Sequence, residues 1–115
     1  MFDALSHREI WAVDFEFGFQ PGEQPDPVCL VAWELKSRRK IRYWRDQFGA
    51  TPPYATDANA LFLAYYASAE IGCHLVLGWP VPERVLDLFT EFRNHTNGLP
   101  TTSGAGLIGA LAFMG

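Results

Sequence analysis

Two acids inside an otherwise uncharged, aromatic run constrain this chain more than any other feature: Asp14 and Glu16 in Trp11-Ala-Val-Asp-Phe-Glu-Phe-Gly18. Residues 9–17 read as a β-strand, with Ile10, Ala12, Phe15 and Phe17 apolar and Trp11 and Val13 filling the other face early on. Residues two apart on a strand point to the same face, so the two carboxylates share one side of a sheet. Side by side they repel, and they are stable together only when solvated, protonated or neutralised by a cation. Solvation is poor in a run as apolar as residues 10–19. In many nucleases, carboxylates hold two divalent ions about 3.5–4 Å apart, and the ions stabilise the attacking and leaving oxygens of a phosphodiester displacement. The plain alternative is a solvated strand face, which is what Asp-x-Glu usually means.

The rest of the chain alternates strands and helices. Residues 18–27 are rich in proline and glycine and read as a loop. Residues 28–35 are almost wholly apolar, as in a strand buried on both faces, and after a turn at 36–39 residues 40–44 return as a third strand. These three strands make an antiparallel meander. Residues 46–59, with Pro52-Pro53, form a surface connection. Leu61-Phe-Leu-Ala-Tyr-Tyr-Ala67 reads as a fourth strand or as the start of a helix, and its lack of charge favours a buried strand. Ser68 is a good N-cap for a helix over 69–77, with Glu70 in its first turn where the dipole favours an acid. Gly78-Trp-Pro80 stops that helix. Residues 82–86 read as a short strand or turn before a helix over 87–94. Residues 97–100 are a loop, and 103–113 a small-residue helix that should pack closely. The expectation is one α/β domain with a mixed sheet, with no second domain and no linker.

Length and charge narrow the function. A chain of 115 residues, 49% hydrophobic and 15% aromatic, suits one small domain with a core. Nine Lys plus Arg against thirteen Asp plus Glu give a net charge of −4, which argues against holding nucleic acid by a global positive field. An enzyme that meets phosphates through metal ions remains allowed, because its ligating carboxylates are themselves negative. Cys29 and Cys73 sit in apolar settings without zinc-ligand spacing, and no secretory pattern opens the chain, so a cytoplasmic location is expected. The apolar run over 104–115 is too short to span a bilayer, which takes about 20 residues, so no membrane partner is expected.

Val13-Asp14-Phe15-Glu16 resembles the first motif of the DEDD 3′→5′ exonucleases, the superfamily that includes the proofreading domain of DNA polymerase I. That family's second motif, Asn-x-x-x-Asp with a glycine eight residues after the acid, resembles Tyr66-Ala-Ser-Ala-Glu70 followed by Gly78. Here tyrosine stands for the asparagine and glutamate for the aspartate. Val85-Leu-Asp87-Leu-Phe89 is similar to the family's Asp-Thr-Met-Leu stretch, and the likeness covers residues 9–93. It extends to exonucleases borne by phages or bacteria and attached to family A polymerases, in which Trp-Ala-Val-Asp-Phe-Glu-Phe and Gly-Trp-Pro-x-Pro-x-x-Val-Leu-Asp-Leu recur. The third motif, Tyr-x-x-x-Asp or His-x-x-x-x-Asp, has no counterpart: beyond Asp87 the sole acid is Glu91.

The resemblance implies an RNase H-like fold, a mixed sheet with the meander followed by alternating strand and helices, incomplete at its C-terminus. It implies that residues 1–115 are one partial exonuclease-like domain, an amino-terminal piece of a longer protein with a polymerase domain downstream. It implies catalytic and metal-ligating roles for Asp14, Glu16 and Glu70, Mg²⁺ or Mn²⁺ as cofactor, and DNA with a single-stranded or frayed 3′ end as partner. The reaction is hydrolysis of terminal phosphodiester bonds, with weak or no activity for this chain alone.

Each residue also has a plainer reading. Glu70 is either a ligand or a favourable charge at a helix start. Asp87 reads as a helix N-terminal residue or a supporting carboxylate, and His74 as a satisfied histidine. Six of the nine basic residues fall in Lys36 to Arg45, either a DNA-backbone contact or an exposed turn and edge strand kept soluble by charge; the second is favoured. Trp44, Trp79 and Tyr54 are candidates for stacking on unpaired bases, although Trp79 suits packing at the helix end. Against the nuclease stand a non-catalytic binding module with the acids as surface charges, and an RNase H-like nuclease of another kind.

Overall fold

The computed structural model describes residues 6–18, 22, 24–99, 104 and 106–114. Positions 19–21 and 23 of the expected 18–27 loop, Pro100, and the expected helix start at Ser103 lie outside them.

Five strands form one mixed sheet: β1 (Glu9–Gly18), β2 (Asp26–Glu34), β3 (Lys40–Trp44), β4 (Ala60–Ala64) and β5 (Val85–Asp87). Their order is β3-β2-β1-β4-β5, with β2 antiparallel to β1 and β3, and β4 parallel to β1 and β5. Three α-helices follow the fourth strand onward: α1 (Ala67–Leu77), α2 (Leu88–His95) and α3 (Leu107–Met114). The expected meander and α/β alternation are both present. No helix among the described residues is long and apolar enough to cross a membrane.

Strand register decides what each face carries. Trp11, Val13 and Phe15 lie opposite Glu34, Ala32 and Leu30, and this face packs on Ala67 and Cys73 of α1 and on Trp79 just beyond it. Phe15 and Phe17 therefore share the face of Trp11 and Val13; the assignment of Trp11 and Val13 to the other face fails because the side-chain period along a strand is two. The opposite face runs in three rows. Ala12 lies beside Trp33 and Lys40, Asp14 beside Val31 and Arg42, and Glu16 beside Cys29 and Trp44. On it Val31 is 42% and Trp33 41% exposed, so β2 is buried on one face only. An apolar strand sequence does not say whether anything covers its second face.

Helix α1 does not start on Ser68. Tyr66 takes the cap position in the left-handed region (φ 69°), without a side-chain cap of its own. The Asp87 carboxylate supplies the missing acceptor at 3.0 Å from both the Tyr66 and the Ala67 N–H, and it also caps α2 through the Phe89 N–H at 2.9 Å. The helix ends at Gly78, left-handed at φ 70°, where the Trp79 N–H donates to the His74 carbonyl. Helix α3 packs less closely than its small residues suggested. Ala110 is buried, but Leu107, Ile108, Leu111 and Met114 are half or more exposed. A groove of about 420 Å³ opens between α3 and α2, lined by Leu88, Phe92, Leu107 and Leu111 among others.

Candidate active site

The β1–β4 ladder stops at Ala12 opposite Leu63, so the Phe15 N–H lies beyond its end. Glu70, in the first turn of α1 and 4% exposed, reaches across to accept that N–H at 3.0 Å. Phe15 stands between Asp14 and Glu16, whose side chains leave the opposite sheet face toward solvent. Glu70 thus meets the β1 backbone from the α1 side, while the Asp14 and Glu16 side chains leave the other face.

Their electrostatics follow from that crowding. Burial pushes the Glu70 carboxyl up to about 8; the Phe15 N–H opposes the rise, and the charges of Asp14 and Glu16 add to it. Asp14 is also raised, by burial first, then by the charge of Glu16 and a hydrogen bond shared with it. No cation figures among these causes. Among the described residues neither acid makes an ion pair.

Hard carboxylate oxygens in such a field suit a divalent ion of the Mg²⁺ or Mn²⁺ kind. The number of donors is the weaker part of the fit. Among the described residues no group of three or more His, Cys, Asp or Glu is close enough together to hold a metal. Glu70 spends one oxygen on backbone. Asp14 and Glu16 would offer two carboxylates to such an ion, and Glu70 lies on the other side of the strand.

The other residues singled out divide clearly. Asp87 is the helix N-terminal residue described above. His74 is fully buried, 2.8 Å from the Pro80 carbonyl through Nδ1 and 2.6 Å from the Tyr54 hydroxyl through Nε2. The carbonyl only accepts, so Nδ1 carries the proton and the tyrosine hydroxyl donates to Nε2. Burial lowers the tendency of His74 to charge. Tyr54 and Trp79 are buried in the same cluster, Trp79 donating its indole N–H to the Gly49 carbonyl at 2.9 Å, so neither is placed to stack on a base. Trp44, by contrast, is 62% exposed. The Cys73 thiol is pushed up to about 12 by burial, then by Glu70, and is no nucleophile.

Two residues escaped the sequence reading. Trp33 stands open beside Ala12 with the Lys40 ammonium 4.6 Å from its ring centroid. Its alternation with the small Ala32 was the available sign. Glu34 is 4% exposed and accepts from the N–H groups of Ile10, Lys36 and Ser37 at 2.8, 3.2 and 2.7 Å. Nothing local marks it, since Ile10 lies 24 residues away.

No protein-family model matches the chain, and no curated protein is significantly similar to it.

Proposed function

We propose that this chain belongs to a metal-dependent 3′→5′ exonuclease domain of RNase H-like type, of the kind attached to DNA polymerase I-like proteins, acting on terminal phosphodiester bonds of DNA. The observation that carries the reading is the Glu70–Phe15 hydrogen bond, which joins Glu70 to the backbone between Asp14 and Glu16, 55 residues away in sequence. The meander followed by parallel strands around β1 supports it too.

In this reading Asp14 and Glu16 hold the ion and Glu70 stands as a third acid. The ion, when bound, supplies an activated water and a counter-charge for the leaving 3′ oxygen. Asp14 and Glu16 orient their oxygens from one strand face, and Glu70, fixed by the Phe15 N–H, sets how α1 meets that strand. A fourth carboxylate is absent from the chain beyond Glu91, so activity of these residues alone is weak. Two free thiols suit a cytoplasmic setting.

Mn²⁺ titration of the 115-residue chain, followed calorimetrically, tests the site. Wild type is expected to bind Mn²⁺ and Asp14→Ala and Glu16→Ala to lose it; equal binding by all three ends the proposal. The short donor set favours one second reading, a non-catalytic module, which predicts no Mn²⁺ binding by any form.

A further inference from the structure

We infer that the open face of β1, β2 and β3 is a platform for an unpaired DNA strand, running from the outer edge of the sheet to the two strand acids. Four side chains carry it. Trp44 is 62% and Trp33 41% exposed, and among the described residues Trp44 makes no ring contact. Lys40 and Arg42 precede Trp44 on the same face of β3, Lys40 lying over the Trp33 ring of β2, and neither makes an ion pair among the described residues.

Exposed indoles beside cations that no carboxylate pairs among the described residues match the two halves of a nucleotide. Every base offers a π-face to stack, and every phosphate a charge to neutralise. A duplex hides its base faces, so the surface selects an unpaired strand. A protein partner with an apolar face would leave Lys40 and Arg42 desolvated without a counter-charge, which disfavours it. A net charge of −4 does not oppose the assignment, because the cations are concentrated on this edge.

Register gives the platform its direction. Arg42 lies in line with Asp14, and Trp44 in line with Glu16, each two strands away. Two strand spacings are about 10 Å. A strand stacked on Trp44 with a phosphate on Arg42 is therefore led across β2 toward Asp14 and Glu16. Repulsion keeps its phosphates off those acids unless a cation sits between, so the platform binds DNA without needing metal. The direction of travel rests on the nuclease reading above; the binding surface does not.

The test is fluorescence anisotropy of a labelled oligothymidylate of about 12 nucleotides, within the usual reach of such surfaces. It is run in EDTA, so that binding is read without hydrolysis. Binding that weakens with salt is expected, about tenfold weaker for Trp44→Ala and for Arg42→Glu, and partly restored by Trp44→Phe. Wild-type affinity in both Trp44→Ala and Arg42→Glu, with folded proteins by circular dichroism, overturns the platform. So does equal affinity for a duplex of the same length. Sedimentation showing that Trp44→Ala converts a dimer to a monomer, with oligonucleotide affinity unchanged, assigns the face to a second copy and also overturns it. Oligonucleotide binding without Mn²⁺ binding removes the nuclease reading alone, and Mn²⁺ binding without oligonucleotide binding removes the platform alone.

Discussion

Asp87 holds the start of α1 in place from the end of β5: its carboxylate accepts from the Ala67 N–H across 20 residues of sequence at 3.0 Å. Because it also accepts from Tyr66 and Phe89, one side chain caps two helices. Asp87→Ala strands three N–H groups and is expected to destabilise the chain by about 2–3 kcal/mol, as urea unfolding will measure. Asp87→Asn keeps an acceptor oxygen and should recover part of that loss.

Glu70 makes stability fall with rising pH. Its carboxyl holds a proton up to about 8 in the folded chain, against an ordinary value of 4.5 in the unfolded one. Between those values the folded state binds more protons than the unfolded, so stability declines as pH rises through the window and levels above it. Glu70→Gln keeps an oxygen for the Phe15 N–H but carries no charge. In EDTA it is expected to match wild type near pH 4 and to exceed it at pH 8, by on the order of 3 kcal/mol. A wild-type advantage at pH 8 would contradict this.

Glu34 acts in the opposite sense. Burial alone raises its carboxyl, but the backbone groups of Ile10, Ser37 and Lys36 and the Ser37 side chain outweigh burial and hold it at about 2. Its contribution is complete above the ordinary value of 4.5 and is lost as pH falls toward 2. Glu34→Gln should therefore lower the thermal midpoint at pH 7 and converge with wild type near pH 2. The expected difference at neutral pH is about 1–3 kcal/mol.

Tyr54→Phe isolates the buried polar pair. Without the hydroxyl, Nε2 of His74 has no donor inside the aromatic cluster of Phe15, Phe62 and Trp79. A loss of about 1–2 kcal/mol is expected by denaturant titration. His74→Phe in the same background should restore part of it, since an apolar ring needs no partner there.

Local pattern made the strands and the end of α1 legible. The apolar runs around Trp11, Leu30 and Phe62 are strands, Lys40 to Trp44 is the expected return, and Gly78 closes the helix where a left-handed residue is needed. The acids of the site were legible as well, since Asp14 and Glu16 are neighbours on one strand and Glu70 opens a helix. What escaped depends on partners far along the chain. Ser68 is a better cap by composition than Tyr66, yet Asp87 is already beside the helix start and makes it redundant. Glu34 looks like a polar end to an apolar strand until Ile10 is brought beside it. Val31 and Trp33 look like core until the far side of the sheet is found open.

The Phe15–Glu70 hydrogen bond also orders events in time. The meander closes through local pairings, whereas the bond joins residues 55 apart and waits for the parallel pairing of β4 with β1. On a ribosome adding about 5–20 residues per second, Glu70 emerges roughly 3–10 s after Glu16. For those seconds the nascent chain displays its two strand acids on a finished hairpin without the third. The repulsion that Glu70 feels from them arises only once α1 has docked.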